Sequence, residues 1–300
     1  MLMLEQLERS ITEFLMPEVK TVLEIGNYIA SAGGKRVRPI LMLETARMLG
    51  GDTERLIPLA VGIEYIHMAS LLHDDVVDGA DVRRGRPSAN RVFGNPIVVL
   101  TGDYMYARAL WLYSLYGNMK SIEIVSRAVM QMAEGQVLEL LHIGKIIDEE
   151  TYLRIVDGKT GALFGASMGV GALMSGYPGF EEFYRMGVKV GRAFQMVDDA
   201  LDYIGDQKVM GKPAGNDLRE GKCTYPLLSV LHTMDRSKLE ESLRKGDVEE
   251  IRSKVVELGG VEKTKSRAKK EIEEVISYLK SFPQSDKLIE LLVSLVERVR

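Results

Sequence analysis

The chain has 300 residues, 46% of them apolar, enough for one helical domain to bury a substantial core. Its 43 acids and 39 bases are interspersed and leave a formal net charge of -4, which removes the electrostatic case for nucleic acid as a partner. Its one cysteine, Cys223, excludes an intrachain disulfide and points to a reducing compartment, the cytoplasm being the simplest. The opening MLMLEQLERS lacks a basic start followed by an apolar run, and the later apolar stretches are broken by Glu64, His67 or Asp103. No transmembrane segment is therefore expected.

Taken in chain order, apolar residues recur at spacings of three and four through Leu41 to Leu49, Leu59 to Leu72, Tyr104 to Leu115, Ile122 to Leu141 and Phe183 to Ile204. That periodicity predicts helices. Alternating β-branched runs between hairpin turns are missing, so no sheet that could organise a Rossmann or barrel fold is expected and the class reads as all-α, a single domain over residues 1–300. Breaks fall at Gly33-Gly34, Gly50 to Asp52, residues 79–96, Gly117-Asn118, residues 176–179 and residues 205–221. Two of these, 79–96 and 205–221, are long, polar and basic, and each follows an apolar helix that carries acids. Loops of that kind carry function. From Arg236 onward Lys and Glu are dense at helical spacing, which reads as a solvated amphipathic helical tail without chemistry.

The first chemical constellation is Leu71-Leu72-His73-Asp74-Asp75-Val76-Val77-Asp78, where Asp74 and Asp78 share one helix face. Like charges at that spacing cost helix stability, so acids set among Leu71, Leu72, Val76 and Val77 ask for a functional reason. The pattern returns at Gln195-Met196-Val197-Asp198-Asp199-Ala200-Leu201-Asp202. Two clusters of hard oxygen donors, with no thiolate beside them, fit Mg²⁺ held by one or two carboxylates each and completed by water and phosphate oxygens. A glycine-turned Ca²⁺ loop is not present in either. Cations flank both: Gly33-Gly34-Lys35-Arg36-Val37-Arg38 lies ahead of a helix, Arg83-Arg84-Gly85 follows the first cluster, and Lys212 and Lys222 follow the second. Guanidinium binds phosphate oxygens bidentately and lysine acts as a point charge.

With DDVVD at 74–78 followed by RRG at 83–85, and QMVDDALD at 195–202, the chain resembles the trans-isoprenyl diphosphate synthases of the polyprenyl synthetase family over roughly residues 30 to 230. The resemblance implies an isoprenoid-synthase helical bundle with a central cavity. It also implies Mg²⁺-dependent head-to-tail condensation of isopentenyl diphosphate with an allylic diphosphate (dimethylallyl, geranyl, farnesyl or geranylgeranyl). By that resemblance Asp74, Asp78 and Asp198 ligate Mg²⁺, three ions with the diphosphate bound, and Asp75, Asp199 and Asp202 support them. Arg83, Lys159 and Lys212 are expected on the allylic diphosphate, and Lys35, Arg38, His67 and Arg84 on isopentenyl diphosphate. Thr160, Gln195 and Lys222 complete a polar wall, and Gln136 matches the family's mid-chain Gly-Gln. A homodimer through the central helices around 104–141 is implied as well. A lone histidine on an apolar helix is ordinarily a satisfied core residue; the seven-residue offset of His67 from Asp74 supports the ligand role.

Product length is readable from the residues before Asp74, which in the family line the channel for the growing tail. Ala69 and Ser70 are small where short-chain members carry an aromatic, so products beyond fifteen carbons are expected. Each isoprene unit is about one helical turn, about 5 Å, so each deeper floor residue changes the product by about one unit. Candidate floors are Ile66 and Tyr65 with Met105, Ala109 and Leu112 on the helix expected to begin near Thr101. A long chain (C30–C40) is favoured over C20. A class I terpene cyclase and a noncatalytic partner subunit are the rivals. Lys35, Arg38 and Arg84 argue against the first, and possession of both aspartate clusters argues against the second.

Overall fold

The computed structural model describes residues 2–205 and 214–297. Lys212 lies outside them. The protein is all-α, and its chain divides into two compact units, Met1–Val129 with Ala166–Tyr184 and Met130–Gly165 with Arg185–Arg300.

In the first unit, α1 (Leu2–Glu13), α2 (Lys20–Ser31) and α3 (Val37–Met48) precede the long α4 (Thr53–Val77). Asp52 caps α4, its Oδ1 accepting from the backbone N–H of Glu54 and Arg55 at 3.1 and 3.3 Å, which satisfies two of the orphan donors of the first turn. Because α4 is apolar around most of its circumference, it is buried against α3, α1 and α6 (Asn95–Tyr116). By length and composition α4 could cross a bilayer, but 78% of its apolar window is buried inside the protein, as in a core helix.

The second unit takes most of α7 (Met119–Leu141), then α8 (Glu149–Val156), a π-helical turn at Asp157–Gly161, the start of α9 (Ala162–Met174) and most of α10 (Phe180–Ile204). Two short helices follow, α11 (Asn216–Arg219) and α12 (Tyr225–Leu228), and then α13 (Arg236–Lys245), α14 (Glu249–Glu257), α15 (Gly260–Leu279) and α16 (Asp286–Val296).

Two expectations are corrected, and one small feature is added to the all-α class: a hairpin of β1 (Val82–Arg83) against β2 (Arg86–Pro87), closed by Arg84 and Gly85 at φ 51° and 75°. Two consecutive positive φ values are what a tight two-residue hairpin turn demands, and strands of two residues are too short to show alternation. The segment 79–96 also holds α5 (Ala89–Phe93) and the start of α6, which begins at Asn95 rather than near Thr101, with Pro96 in its first turn after Gly94 at φ 86°. Finally, the stretch from Arg236 is no solvated tail. Leu239, Leu243, Val255, Ile272, Leu279, Leu288 and Leu292 are buried, each contributing about 1.5–3 kcal/mol of apolar burial to the second unit. Most of its charged residues form the outer faces of those helices, while Glu271 is buried and accepts from Arg192 Nη1 at 3.1 Å.

Candidate active site

The first aspartate cluster ends α4. Asp75 is buried, Asp74 half-buried, and Asp78 is the exposed C-cap, its N–H donating to Asp74 O at 2.8 Å. Carboxylates at the negative end of a helix dipole are placed unfavourably and need compensating cations. One is built in: Arg83 Nε donates to Asp75 Oδ2 at 2.8 Å and Nη2 donates to Asp75 Oδ1 at 2.7 Å, which ties β1 to α4. The other strand is held by α2, where Tyr28 Oη donates to Pro87 O at 2.6 Å and the Arg86 guanidinium lies 4.3 Å from the Tyr28 ring centroid. The hairpin carrying Arg83 and Arg84 is thus fastened from both sides.

The same unit gathers the cations predicted for isopentenyl diphosphate. Lys35 is exposed and Arg38 half-buried. A Cβ on Gly34 would meet Arg84 Nη1 at 2.9 Å and Arg36 Nη1 at 3.4 Å, so both guanidinium groups converge on a residue without a side chain. His67 is pushed well below the usual imidazole pKa, first by desolvation and then by Arg38, Arg84, Arg83 and Arg36, and so is held neutral. Arg84 is also lowered, by desolvation and by Arg83, with Glu64 opposing.

Arg36 behaves differently from its neighbours. It is buried in the left-handed region at φ 48°, its Nε donating to Glu8 Oε1 at 2.8 Å, its Nη1 to Glu64 Oε1 at 2.9 Å and its Nη2 to Ala30 O at 2.8 Å. The motif reading gave it no separate role. The signal that could have found its partner is Glu64 itself, an acid inside the apolar run of α4.

The second cluster lies in the last turns of α10. Asp199 and Asp202 are buried and Asp198 is half-buried. Asp199 Oδ2 accepts from Tyr152 Oη at 2.6 Å and Oδ1 from Gln195 Nε2 at 2.9 Å, and Gln195 Oε1 accepts from Thr160 Oγ1 at 3.0 Å. Desolvation, and then the charge of Asp217, push the Asp199 carboxyl up to about 8 against the pull of Tyr152 and Gln195. Asp202 Oδ2 accepts from the Asp217 N–H at 3.0 Å, pinning the chain where it returns at residue 217.

Close backbone approach supplies this geometry. A Cβ on Gly158 would lie 2.7 Å from Gln131 O, and one on Gly191 would lie 2.8 Å from Gly161 Cα, so the π-helical turn is pressed between α7 and α10. Such π segments recur at functional sites. Arg192 clamps the turn through Asp157, with Nε–Oδ1 at 2.9 Å and Nη2–Oδ2 at 2.7 Å. The turn carries Lys159, whose Nζ donates to Glu139 Oε1 at 2.6 Å, and Lys222 Nζ lies 3.6 Å from the same oxygen. Although burial disfavours the charged form, Glu139 and Glu220 raise the Lys222 pKa and keep it protonated. A cavity of about 110 Å³ within this unit is lined by Glu139, Tyr152, Lys159, Gln195, Asp199 and Lys222. Glu139 and Tyr152 were missed by motif reading, since nothing local marks a residue whose partner is remote in sequence. Both amide atoms of Gln136 are buried with no hydrogen-bond partner among the described residues.

The chain-length residues all lie in the first unit. Ala69, Ile66, Tyr65 and Met105 are fully buried, and Ser70 is half-buried with its hydroxyl donating to His67 O at 2.7 Å. Tyr65 lies nine residues before Asp74, on the opposite face of α4 at about 100° per residue. Its hydroxyl donates to Ile11 O of α1 at 2.5 Å, which turns it away from the face of Asp74.

Among the described residues no three acids, histidines or cysteines converge as a ready-made metal cage. The donors nevertheless fit Mg²⁺, which takes one or two carboxylates per ion and leaves its other positions to water and phosphate. Asp75 and Asp199 are each engaged by protein donors beside a less buried carboxylate, Asp74 or Asp198.

Residues 19–258 match the polyprenyl synthetase family. The chain belongs to that family. It is similar to the octaprenyl diphosphate synthase of Escherichia coli K12, 38% identical over 286 residues covering 92% of this chain and 88% of the relative. It is also similar to the geranylgeranyl diphosphate synthase of Saccharolobus solfataricus, 32% identical over 298 residues covering 93% of this chain and 90% of the relative. Among solved structures, a polyprenyl synthase from Caulobacter crescentus CB15 complexed with calcium and isoprenyl diphosphate superimposes with a TM-score of 0.93 at 34% identity, over 99% of this chain and 95% of that one. As a polyprenyl synthetase the protein is a prenyltransferase, condensing isopentenyl diphosphate head to tail with an allylic diphosphate in a Mg²⁺-dependent reaction.

Proposed function

We propose that this prenyltransferase makes trans-polyprenyl diphosphates longer than fifteen carbons, with a long chain of C30–C40 favoured over C20, and the observation that carries this reading is the small pair Ala69 and Ser70 before Asp74. Ser70 turns its hydroxyl back onto His67 O, so a polar group is satisfied where a hydrocarbon tail would pass. Deeper floors are drawn from Ile66, Tyr65, Met105, Ala109 and Leu112, all buried, and a long product requires that the stop lie beyond Ile66 and Met105; Tyr65, whose hydroxyl donates to Ile11 O of α1, sits on the far face of α4 from Asp74. Relatives of both lengths support the family and leave the length to this pair.

Asp74, Asp78 and Asp198 are the residues we assign to Mg²⁺, three ions with bound diphosphate, and Lys159, Arg83 and Lys212 to the allylic diphosphate. Bound Mg²⁺ supplies neutralisation of the charge that develops on the departing diphosphate. Lys159, paired with Glu139, lies beside Lys222, which Glu139 and Glu220 keep protonated as a fixed positive charge. Asp75, Asp199 and Asp202 hold Arg83, the Tyr152–Gln195–Thr160 chain and the returning residues 215–217 in register. Lys35, Arg38, neutral His67 and Arg84 hold the isopentenyl diphosphate. The primers are dimethylallyl, geranyl, farnesyl or geranylgeranyl diphosphate, and the departing diphosphate takes the proton released on condensation.

Both units belong to one catalytic domain in this reading, because the family match runs through both. Two chains pair through α6 and α7, on which Leu110, Trp111 and Leu115 of the first and Met130, Val137 and Leu141 of the second are exposed large apolar side chains. The enzyme is cytoplasmic, in keeping with its single buried thiol, Cys223. The test is to incubate enzyme, Mg²⁺ and labelled isopentenyl diphosphate with each primer and resolve the dephosphorylated products. Products of thirty carbons or more are expected; a stop at twenty would place the floor at Ile66 or Met105, and a stop at fifteen would overturn the open-channel reading. Light scattering that returns one chain at working concentration would remove the dimer.

A further inference from the structure

Of the cations beside His67, Arg36 is the one buried and enclosed by carboxylates. Lys35 is exposed, and Arg84 stands at the tip of the hairpin. Arg36 reaches Glu8 on α1, Glu64 on α4 and the Ala30 carbonyl of α2, while its own backbone starts α3. One side chain therefore joins four helices. Its fork is spent on protein: Nε and Nη2 lie 2.8 and 3.2 Å from the two oxygens of Glu8, and Nη1 lies 2.9 Å from Glu64. A guanidinium used in this way does not bind substrate phosphate.

Its backbone explains why the clamp is needed. At φ 48° Arg36 occupies a region that non-glycine residues adopt only when their surroundings hold them there. That conformation lies between Lys35 and Arg38, the two residues assigned to isopentenyl diphosphate, and it sets where each side chain leaves the turn. Glu64 stands one helical turn before His67 on α4, and Gly34 lets the guanidinium groups of Arg84 and Arg36 approach the turn together. Without a buried carboxylate at Glu64, Arg36 and Arg84 would repel each other across that glycine.

We propose that Arg36, clamped by Glu8 and Glu64, is the positioning residue of the isopentenyl diphosphate site, and that α1 is thereby part of that site's scaffold. The proposal rests on the reading of Lys35, Arg38, His67 and Arg84 as that site. Its signature is selectivity between substrates. Loosening the clamp misplaces Lys35 and Arg38 and weakens isopentenyl diphosphate, but leaves the allylic site, built on the aspartate clusters, as it was.

The experiment measures KM for each substrate, and kcat, in Glu8→Gln, Arg36→Lys and the double variant Arg36→Met/Glu64→Gln, with Arg38→Ala as a control for the site itself. The double variant removes both buried charges together, so neither is stranded, and Glu8→Gln alters only the half-exposed partner. Thermal melts confirm that each folds. Expected is a rise in KM for isopentenyl diphosphate of about tenfold in the double variant and a few-fold in Glu8→Gln, with the allylic KM unchanged. Arg36→Lys, which keeps the charge and loses the fork, should fall between wild type and the double variant. Equal rises in both KM values, a loss confined to kcat, or wild-type kinetics throughout would overturn the proposal while Arg38→Ala still raises the isopentenyl diphosphate KM. An Arg38→Ala enzyme with unchanged KM would overturn the site reading, and the positioning role with it.

Discussion

The two aspartate clusters share one spacing and occupy the same place on their helices, the C-terminal end, yet the buried member of each is satisfied by opposite chemistry. Asp75 faces a cation, the Arg83 guanidinium at 2.7 Å. Asp199 faces neutral donors, Tyr152 at 2.6 Å and Gln195 at 2.9 Å. The last member differs too: Asp78 is exposed at the helix cap, whereas Asp202 is buried and holds the Asp217 N–H. The same motif in sequence is therefore an ion pair that fastens a hairpin in one unit and a neutral hydrogen-bond chain that orders an interior wall in the other. What the motifs share is the less buried acid that precedes each buried one, Asp74 and Asp198.

The largest expected effect tests that shared part. Asp74→Asn and Asp198→Asn should each lower kcat by about 10²–10³, the scale of removing one preorganised electrostatic contact to a developing charge. Chelation of divalent metal should abolish turnover in the wild type, and Mg²⁺ should restore it. Near-normal kcat in either variant would remove that residue from the metal set.

Next in size is the contrast itself, read by urea unfolding. Asp75→Asn strands a guanidinium whose side chain is only 25% exposed, and should lower stability by about 2–3 kcal/mol, less than a fully buried pair because Arg83 reaches some water. Asp199→Asn keeps an acceptor for Tyr152 and replaces no salt bridge, so its change should stay within about 1 kcal/mol. Equal losses in the two variants would erase the distinction.

A smaller effect sharpens the neutral side. Tyr152→Phe removes one buried donor and should cost about 1 kcal/mol of stability. With Asp199 held only through Gln195, the Mg²⁺ concentration for half-maximal activity should rise a few-fold, and direct Mg²⁺ titration of the diphosphate complex should show the same shift. An unchanged Mg²⁺ requirement would leave Tyr152 a packing residue.

How far the sequence discloses this molecule follows from the range of each interaction. Helices α4, α6, α7 and α10 are legible because apolar periodicity is local, and both clusters are legible because their members lie within one turn. The hairpin is too short to show a pattern. The helices from Arg236 onward carry so much Lys and Glu on their outer faces that Leu239, Leu288 and Leu292 look solvated until their partners are known. Arg36 with Glu64 is separated by 28 residues, Lys159 with Glu139 by 20, and Tyr152 with Asp199 by 47, and no periodicity reports on pairs that far apart. Glu64 is the instructive case. Its position in an apolar run argues against a membrane span; the same observation equally demands a buried cation, and Arg36 is that cation.

The smallest predicted effect concerns a donor that the neutral region leaves over. Gln136 stands on α7 one turn before Glu139, and both of its amide atoms are buried with no hydrogen-bond partner among the described residues. An unsatisfied buried amide costs about 1–3 kcal/mol, a penalty removed when the group is replaced by an apolar one of similar shape. Gln136→Met should therefore raise the melting stability of the unliganded enzyme by about 1 kcal/mol. If the amide is kept for substrate, the same variant should lose activity, so stability and turnover should move in opposite directions. A variant that gains stability and keeps full activity would show that the second region works through Tyr152, Gln195 and its lysines alone.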